Sequence, residues 1–377
     1  MIEPGSAADV RFAARLVVEG VVPQDKVRAL LAKQKELVER GKPLSIPEMA
    51  VRLSWLGAAE ARWLLDPDAP PADLLPGLSL GPRIGVGGMS RVYRAVDLGT
   101  NVPVAVKVLL PQLRRSPEAR ERFRAEAELL CRLGHENLVQ GFYFHEHEGL
   151  DYLVMELVEG GTALERLDAG GVFGEQEALR VIVQAARALE YLASQGFVHR
   201  DVKPGNLLLG AGGAVKVCDL GFTARQGADA GAETTCGTVQ YLAPEQAAGD
   251  GCDARADIYA LGVTLFQLTI GKLPFEAGDD EESLRRRMTD ELRAKELKGF
   301  TVSQHLHYFI QKMTACDRGF RYQSPAELVA DVEESLAGRS EAEPVRRPTP
   351  GAASARFKST FAAASGAARR PLHRRAP

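Results

Sequence analysis

The sequence predicts an α+β protein in which strands and helices are segregated along the chain. Three stretches carry this. Apolar alternation, the mark of half-buried strands, begins near Leu78 and returns over 102–109 and 152–156. Over 175–195 the apolar positions Leu179, Ile182, Val183, Ala186, Leu189 and Leu192 keep the 3.6-residue repeat of a long buried helix. Residues 1–72, ahead of the first strand, also read as helical.

At 377 residues with 45% hydrophobic content, the chain is long enough for a mid-sized domain with additions. A net charge of -3 points neither to a nucleic-acid binder nor to a disordered acidic protein. The five cysteines, Cys131, Cys218, Cys236, Cys252 and Cys316, form no C-x-x-C pair, which fits a reducing cytoplasm better than a disulfide or zinc framework. No basic-then-apolar leader opens the chain. Its most apolar later run, 258–270, falls short of the ~18 residues a membrane span needs. A cytoplasmic protein without a transmembrane segment is expected. Plentiful Ala, Gly and Arg fit a bacterial origin.

Within 1–72, Val27, Leu30, Leu31, Gln34 and Val38 share one helix face, with Pro23 suited to its start and Gly41 to its end. Ser45 and Glu48 have capping-box spacing for a second helix, and 58–65 suits a third. A docking module for a protein partner and an extension packed on the main domain fit this pattern equally. The Pro-rich run from Asp66 is a linker by composition, and 73–77 join it to the main domain.

The next segment holds Ile84 followed by Gly85-Val86-Gly87-Gly88-Met89-Ser90, and then a second strand containing Val92. A dinucleotide fold would need a helix straight after such glycines; here a strand follows, so the glycines form a turn between strands. Val104-Ala105-Val106-Lys107 ends in a lysine on an apolar strand. The helical stretch 118–133 offers Glu121, Glu126 and Glu128 as counter-ions. Residues 152–161 run from a strand through Met155, Glu156 and Val158 into Gly160-Gly161. Then come His199-Arg200-Asp201-Val202-Lys203-Pro204-Gly205-Asn206, Leu208, Asp219-Leu220-Gly221, Gly237-Thr238, Ala243-Pro244-Glu245, Asp257 and Arg321. After Gly338 the composition shifts to Arg, Pro, Ala, Gly and Ser, so 339–377 read as a basic disordered tail.

In this order the motifs, led by His199-Arg200-Asp201 with Asn206, resemble the bacterial-type (Hanks-type) serine/threonine protein kinase family; Lys203 narrows the resemblance to the Ser/Thr branch. It covers 78–338. It implies a bilobal protein-kinase fold: an N-lobe over 78–156 with a five-stranded antiparallel sheet and one helix, and a mainly helical C-lobe over 157–338. It also implies ATP and Mg²⁺ as cofactors and proteins bearing Ser or Thr as substrates, with signal transduction as the role. Asp201 would orient the acceptor hydroxyl and take its proton, and Lys203 would steady the γ-phosphate. Lys107 would hold the α- and β-phosphates, oriented by Glu126. Asn206 and Asp219 would bind the metal through oxygen. Thr238 would bond Asp201 and Lys203. Residues 85–90 would cover the phosphates, and Ile84 would supply an apolar face to the adenine. Val92, Ala105, Met155 and Leu208 would enclose the adenine, read by backbone groups of Glu156 and Val158.

Ser90 and Leu220 depart from the commoner Gly and Phe; the second swap keeps the carboxylate and the glycine. Glu245 would pair with Arg321, and Asp257 would brace the catalytic loop. Arg200 would receive a phosphate on Thr234 or Thr235, added by autophosphorylation in a transient homodimer. A scaffold without chemistry is disfavoured by the intact Lys107, Asp201, Asn206 and Asp219. A small-molecule phosphotransferase is disfavoured by Gly237-Thr238 and Ala243-Pro244-Glu245, which shape a peptide platform.

Overall fold

The computed structural model of the chain describes residues 3–225, 239–274 and 302–340. The chain divides into two units. Met1–Glu334 holds all the architecture below, and the described part of Ser335–Pro377 is the end of the helix Pro325–Ser340.

Four helices come first: α1 (Ala7–Val18), α2 (Gln24–Glu39), α3 (Ile46–Arg52) and α4 (Ala58–Leu65). The capping box at Ser45 and Glu48 is present. On α2, Val27, Leu30 and Gln34 are buried, but Val38 is exposed, because in the last turn the inward stripe shifts to Leu37. Helix α1 was not singled out by apolar periodicity. Its buried stripe of Asp9, Phe12, Ala13 and Leu16 begins with a carboxylate. Asp9 tolerates burial because it accepts from the backbone N–H of Gly5 at 2.9 Å and of Ile46 at 2.6 Å, and from the Gln34 side chain.

A five-stranded antiparallel sheet follows, ordered β1-β2-β3-β5-β4. Its strands are β1 (Leu78–Val86), β2 (Ser90–Asp97), β3 (Val102–Leu109), β4 (Gly141–His147) and β5 (Leu150–Glu156). Between β3 and β4 lie α5 (Pro111–Arg114) and the longer α6 (Pro117–Arg132). Register sorts the sheet into two faces. Val92 pairs with Lys107 and Ala105 with Met155, so these four share one face. Tyr93 pairs with Val106 and Val106 with Val154, and these share the other. That second face, with Val104, Val108 and Tyr152, joins Phe12, Leu16, Met49, Trp63 and Leu64 of the first four helices in one apolar core.

The Pro-rich run from Asp66 and the 73–77 linker are pinned along this junction. Leu74 and Leu75 are buried. The Tyr93 hydroxyl donates to Pro67 O at 2.6 Å while accepting from the Trp63 indole N–H, also at 2.6 Å. The Leu80 N–H donates to Ala72 O at 2.8 Å.

The remainder is mainly helical: α7 (Ala163–Asp168), α8 (Glu175–Ser194), α9 (Pro244–Ala248), α10 (Ala254–Ile270), then Gln304–Met313 and Pro325–Ser340. Small strands line its upper edge: β6 (Phe197–Val198) pairs with β9 (Ala224–Arg225), and β7 (Leu207–Leu209) with β8 (Val215–Val217). Helix α10 starts before the apolar run that announces it, because the Asp253 side chain caps it at the Arg255 N–H. It is buried on nearly every side. At Gly262 an added Cβ would come within 2.7 Å of both Met313 and Thr314, so only glycine permits this packing.

Candidate active site

The loop after β6 is shaped by a buried carboxylate from α10. Asp257, in the helix's first turn, accepts from the His199 N–H at 2.8 Å and the Arg200 N–H at 2.9 Å. Burial pushes its carboxyl up, against the pull of His199 and of these backbone donors. Held this way, Arg200 adopts φ 70°, a left-handed conformation unusual for a residue with a side chain. The next residue, Asp201, is buried. Its N–H donates to His199 Nδ1 at 3.2 Å. Lys203 Nζ donates to Asp201 Oδ2 at 2.6 Å. The Asn206 amide nitrogen donates to Asp201 O at 2.7 Å and to Oδ2 at 3.0 Å. Asp201, Lys203 and Asn206 therefore form one bonded cluster.

A second cluster is built on the sheet. Lys107 Nζ lies 2.6 Å from Glu126 Oε1 and 3.4 Å from Asp219 Oδ1. Of the three glutamates considered on α6, Glu126 is thus the one bonded to Lys107, and it is 6% exposed. Burial alone would lower the Lys107 ammonium, but the Glu126 and Asp219 carboxylates outweigh it and hold the group charged. Burial pushes the Glu126 carboxyl up. Lys107 draws Asp219 below the ordinary carboxylate range, so Asp219 is an anion at neutral pH. Asp219 also has positive φ, 64°.

The two clusters meet through the chain. The Cys218 N–H donates to Asn206 O at 3.0 Å, and Cys218 O lies 3.3 Å from His199 Nε2. Burial pushes the Cys218 thiol up to about 12, so it stays protonated and inert at neutral pH.

Around these clusters stand the residues expected to enclose a nucleotide. Gly85 and Val86 pair with Val92 and Arg91, and the turn closes by the Gly87 N–H donating to Ser90 O at 2.9 Å. A Cβ at Gly88 would meet nothing within 4 Å, so the backbone there has open space above it. Ile84 is exposed, Ala105 and Met155 share the Lys107 face, and Met89 O accepts from the Leu110 N–H. The Glu156 N–H donates to Gln140 O at 2.8 Å, and its carboxylate pairs with Lys216 at 2.9 Å. Val158 lies in the connector, and Leu208 bridges to Thr162 beyond it. There Gly160 packs so tightly on Leu209 O that any Cβ would collide.

Farther down, Arg321 and Glu245 form a buried bidentate pair. Thr234, Thr235 and Thr238 lie outside the described residues. Arg200 Nε and Nη2 are buried without a hydrogen-bond partner among the described residues.

Some anchoring residues escaped the sequence reading. Asn137 Nδ2 donates to Val215 O at 3.0 Å and ties β8 to the sheet side. Arg120 joins α6 to Asp151 at 2.8 Å and to Glu146 at 2.9 Å. A lone Asn and charges on a helix carry no local signature, since their partners lie in distant segments.

A metal fits this arrangement in its donor set. Among the described residues no cluster of three His, Cys, Asp or Glu side chains is placed to hold an ion. Asp219 is ionised and its side chain is 39% exposed, and Asn206 spends its nitrogen on Asp201, which leaves its oxygen for a cation. Two oxygen donors suit Mg²⁺, which keeps water and phosphate oxygens for its other positions.

Residues 78–331 match the protein kinase domain family. The chain is 37% identical over 271 residues to the serine/threonine-protein kinase PknB of Mycobacterium tuberculosis, covering 70% of this chain and 43% of that protein. It is 36% identical over 269 residues to a probable serine/threonine-protein kinase of Streptomyces coelicolor, covering 69% and 40%. To the serine/threonine-protein kinase PrkC of Bacillus subtilis it is 34% identical over 255 residues, covering 67% and 39%. The chain thus spans about two fifths of the length of these relatives. Among the described residues no helix is long and apolar enough to cross a membrane.

Proposed function

We propose, from the premise that this chain belongs to the protein kinase domain family, that it transfers the γ-phosphoryl group of ATP to serine or threonine hydroxyls of proteins. The observation that carries this reading is the meeting of two clusters, Lys107 with Glu126 and Asp219, and Asp201 with Lys203 and Asn206.

In this reading Asp201 orients the acceptor hydroxyl and takes its proton. Lys203, bonded to Asp201, also neutralises charge at the γ-phosphate. Lys107 holds the α- and β-phosphates as a point charge, kept in place by Glu126. The Gly85–Ser90 turn offers backbone N–H groups over the phosphates, and the carbonyl of Glu156 with the backbone of Val158 reads the adenine edge. Asp219 and Asn206 would hold Mg²⁺, whose contribution is to neutralise phosphate oxygens. Thr238 completes the Asp201–Lys203 arrangement, and a phosphate on Thr234 or Thr235, added by a second copy of the chain, is received by Arg200.

The partner expected for residues 1–72 would meet an apolar groove of about 370 Å³ between α2 and α3. Leu30, Leu37, Leu44 and Met49 line it, together with Lys26 and Arg52. An amphipathic segment with acidic flanks complements that surface.

The test is transfer of radiolabelled γ-phosphate to the chain itself and to varied polypeptide acceptors, with Asp201→Asn as control. Label on Ser or Thr, reduced by roughly 10²–10⁴-fold in the control, is the expected result. Absence of label on every acceptor overturns the reading.

A further inference from the structure

We infer that residues 1–72 hold α6 where Glu126 meets Lys107, and that Arg115 is the positioning residue through which they do so. The catalytic consequence rests on the phosphotransfer reading above; the mechanical claim does not.

Arg115 is the C-cap of α5 and directly precedes Ser116, the N-cap of α6. Its guanidinium reaches back into the N-terminal helices. Nη2 donates to Trp55 O at 2.9 Å and lies 3.3 Å from Glu60 Oε1, while Nη1 donates to Pro111 O. Glu60 is 1% exposed. Burial pushes its carboxyl up and Arg115 draws it back down. A buried carboxylate with a cation beside it is a constraint, because displacing Arg115 leaves the Glu60 charge out of water without its cation. The start of α6 is thereby fastened to α4.

The same region grips α6 from a second side. Gly57 packs so closely on the turn between β4 and β5 that an added Cβ would collide with Glu148 O, and the Glu60 N–H donates to that same oxygen at 3.3 Å. The carboxylates flanking this turn hold α6. Asp151, which is buried, and Glu146 both bind Arg120, and Glu146 also binds Arg124. Residues 1–72 therefore contact both the entry to α6 and the hairpin that holds its first turns.

Glu126 is ten residues beyond Ser116, about 15 Å along a rigid helix. The Lys107–Glu126 contact is 2.6 Å. A helix displacement of roughly 1 Å would take it outside the range of a charge-assisted hydrogen bond. What fixes the ends of α6 therefore decides whether Lys107 keeps its partner.

The test is hydrogen–deuterium exchange on the full chain, read at residues 117–132, for the native protein, Arg115→Gln, Arg115→Lys and Arg62→Ala. Arg62 is on α4 but pairs outward with Asp73, so its removal should leave α6 unchanged. In Arg115→Gln, exchange along α6 should rise on the order of tenfold, the effect of losing a hydrogen bond to a buried charge. Arg115→Lys keeps the charge beside Glu60 and should loosen α6 by less, so the test survives if the glutamine variant does not fold. Unchanged exchange in these variants overturns the brace. In the active enzyme, Arg115→Gln should lower kcat/KM for ATP, and should add little in a Glu126→Gln background; additive losses overturn the route through Glu126. A native chain that labels no acceptor, with α6 still loosened in Arg115→Gln, removes the phosphotransfer reading and leaves the brace standing.

Discussion

Glu245 and Arg321 meet in two parallel hydrogen bonds of 2.6 and 2.8 Å across 76 residues of chain. The guanidinium is fully enclosed. It also donates to the carbonyls of Ala315, Arg255 and Cys316, at 2.7, 3.0 and 3.1 Å, and lies over the Tyr259 ring. One cation thus ties together the segment at α9, the start of α10 and the loop after the helix Gln304–Met313.

Removing one partner leaves the other charge buried and uncompensated. Glu245→Ala or Arg321→Ala should each cost about 3–5 kcal/mol of stability. Replacing both with apolar residues of similar volume should cost less than the sum of the single changes. Denaturant unfolding of the two single variants and the double variant measures this; equal and additive losses would show that the pair is not a coupled unit.

Asp219 makes stability depend on acid. Lys107 depresses its folded pKa below the unfolded value, so the folded state binds fewer protons there than the unfolded one. The stability it contributes is complete above the unfolded value of 3.8 and is lost as pH falls through the folded pKa. The stability difference between the native protein and Asp219→Asn should therefore be constant near neutral pH and shrink below about pH 4. Unfolding curves between pH 3 and 7 check the sign; a difference that grows on acidification contradicts it.

Gly57 should tolerate no side chain. Gly57→Ala forces a methyl into Glu148 O, and should cost about 1–3 kcal/mol as the contact between α4 and the β4–β5 turn opens. Gly41→Ala is no useful comparison because of its positive φ, and Gly174 is the N-cap of α8, where alanine is poor; Gly251→Ala, in a loop with open space and no positive φ, should be nearly neutral. Thermal unfolding of the two variants separates packing at this junction from a general effect of replacing glycine.

Much of the site was legible because its chemistry is local. Asp201, Lys203 and Asn206 fall within six residues, and their spacing alone brings them into one loop. Lys107 and Asp219 are each embedded in a short recognisable run. The register of β2, β3 and β5 then places Val92, Ala105, Lys107 and Met155 on one face, as alternation requires. Helix α1 was hidden by a buried carboxylate in its stripe, and Val38 by a shift of that stripe in the last turn of α2.

The attachment of residues 1–72 had one overlooked signal. In β3, Val104, Val106 and Val108 are apolar on the face opposite Ala105 and Lys107. A strand buried on both faces needs a cover on each, and α6 with the cleft accounts for only one. The sequence by itself determined the inventory: which groups bear charge, which runs form strands or helices, and which short motifs place an acid beside a base. Only the tertiary structure decided that Trp63 reaches Tyr93, that Glu60 finds Arg115, and that a composition-defined linker is locked in a core. The reason is physical: periodicity reports which side of an element avoids water, but many apolar surfaces could cover it. The choice among them is made by buried polar groups whose partners lie tens of residues away.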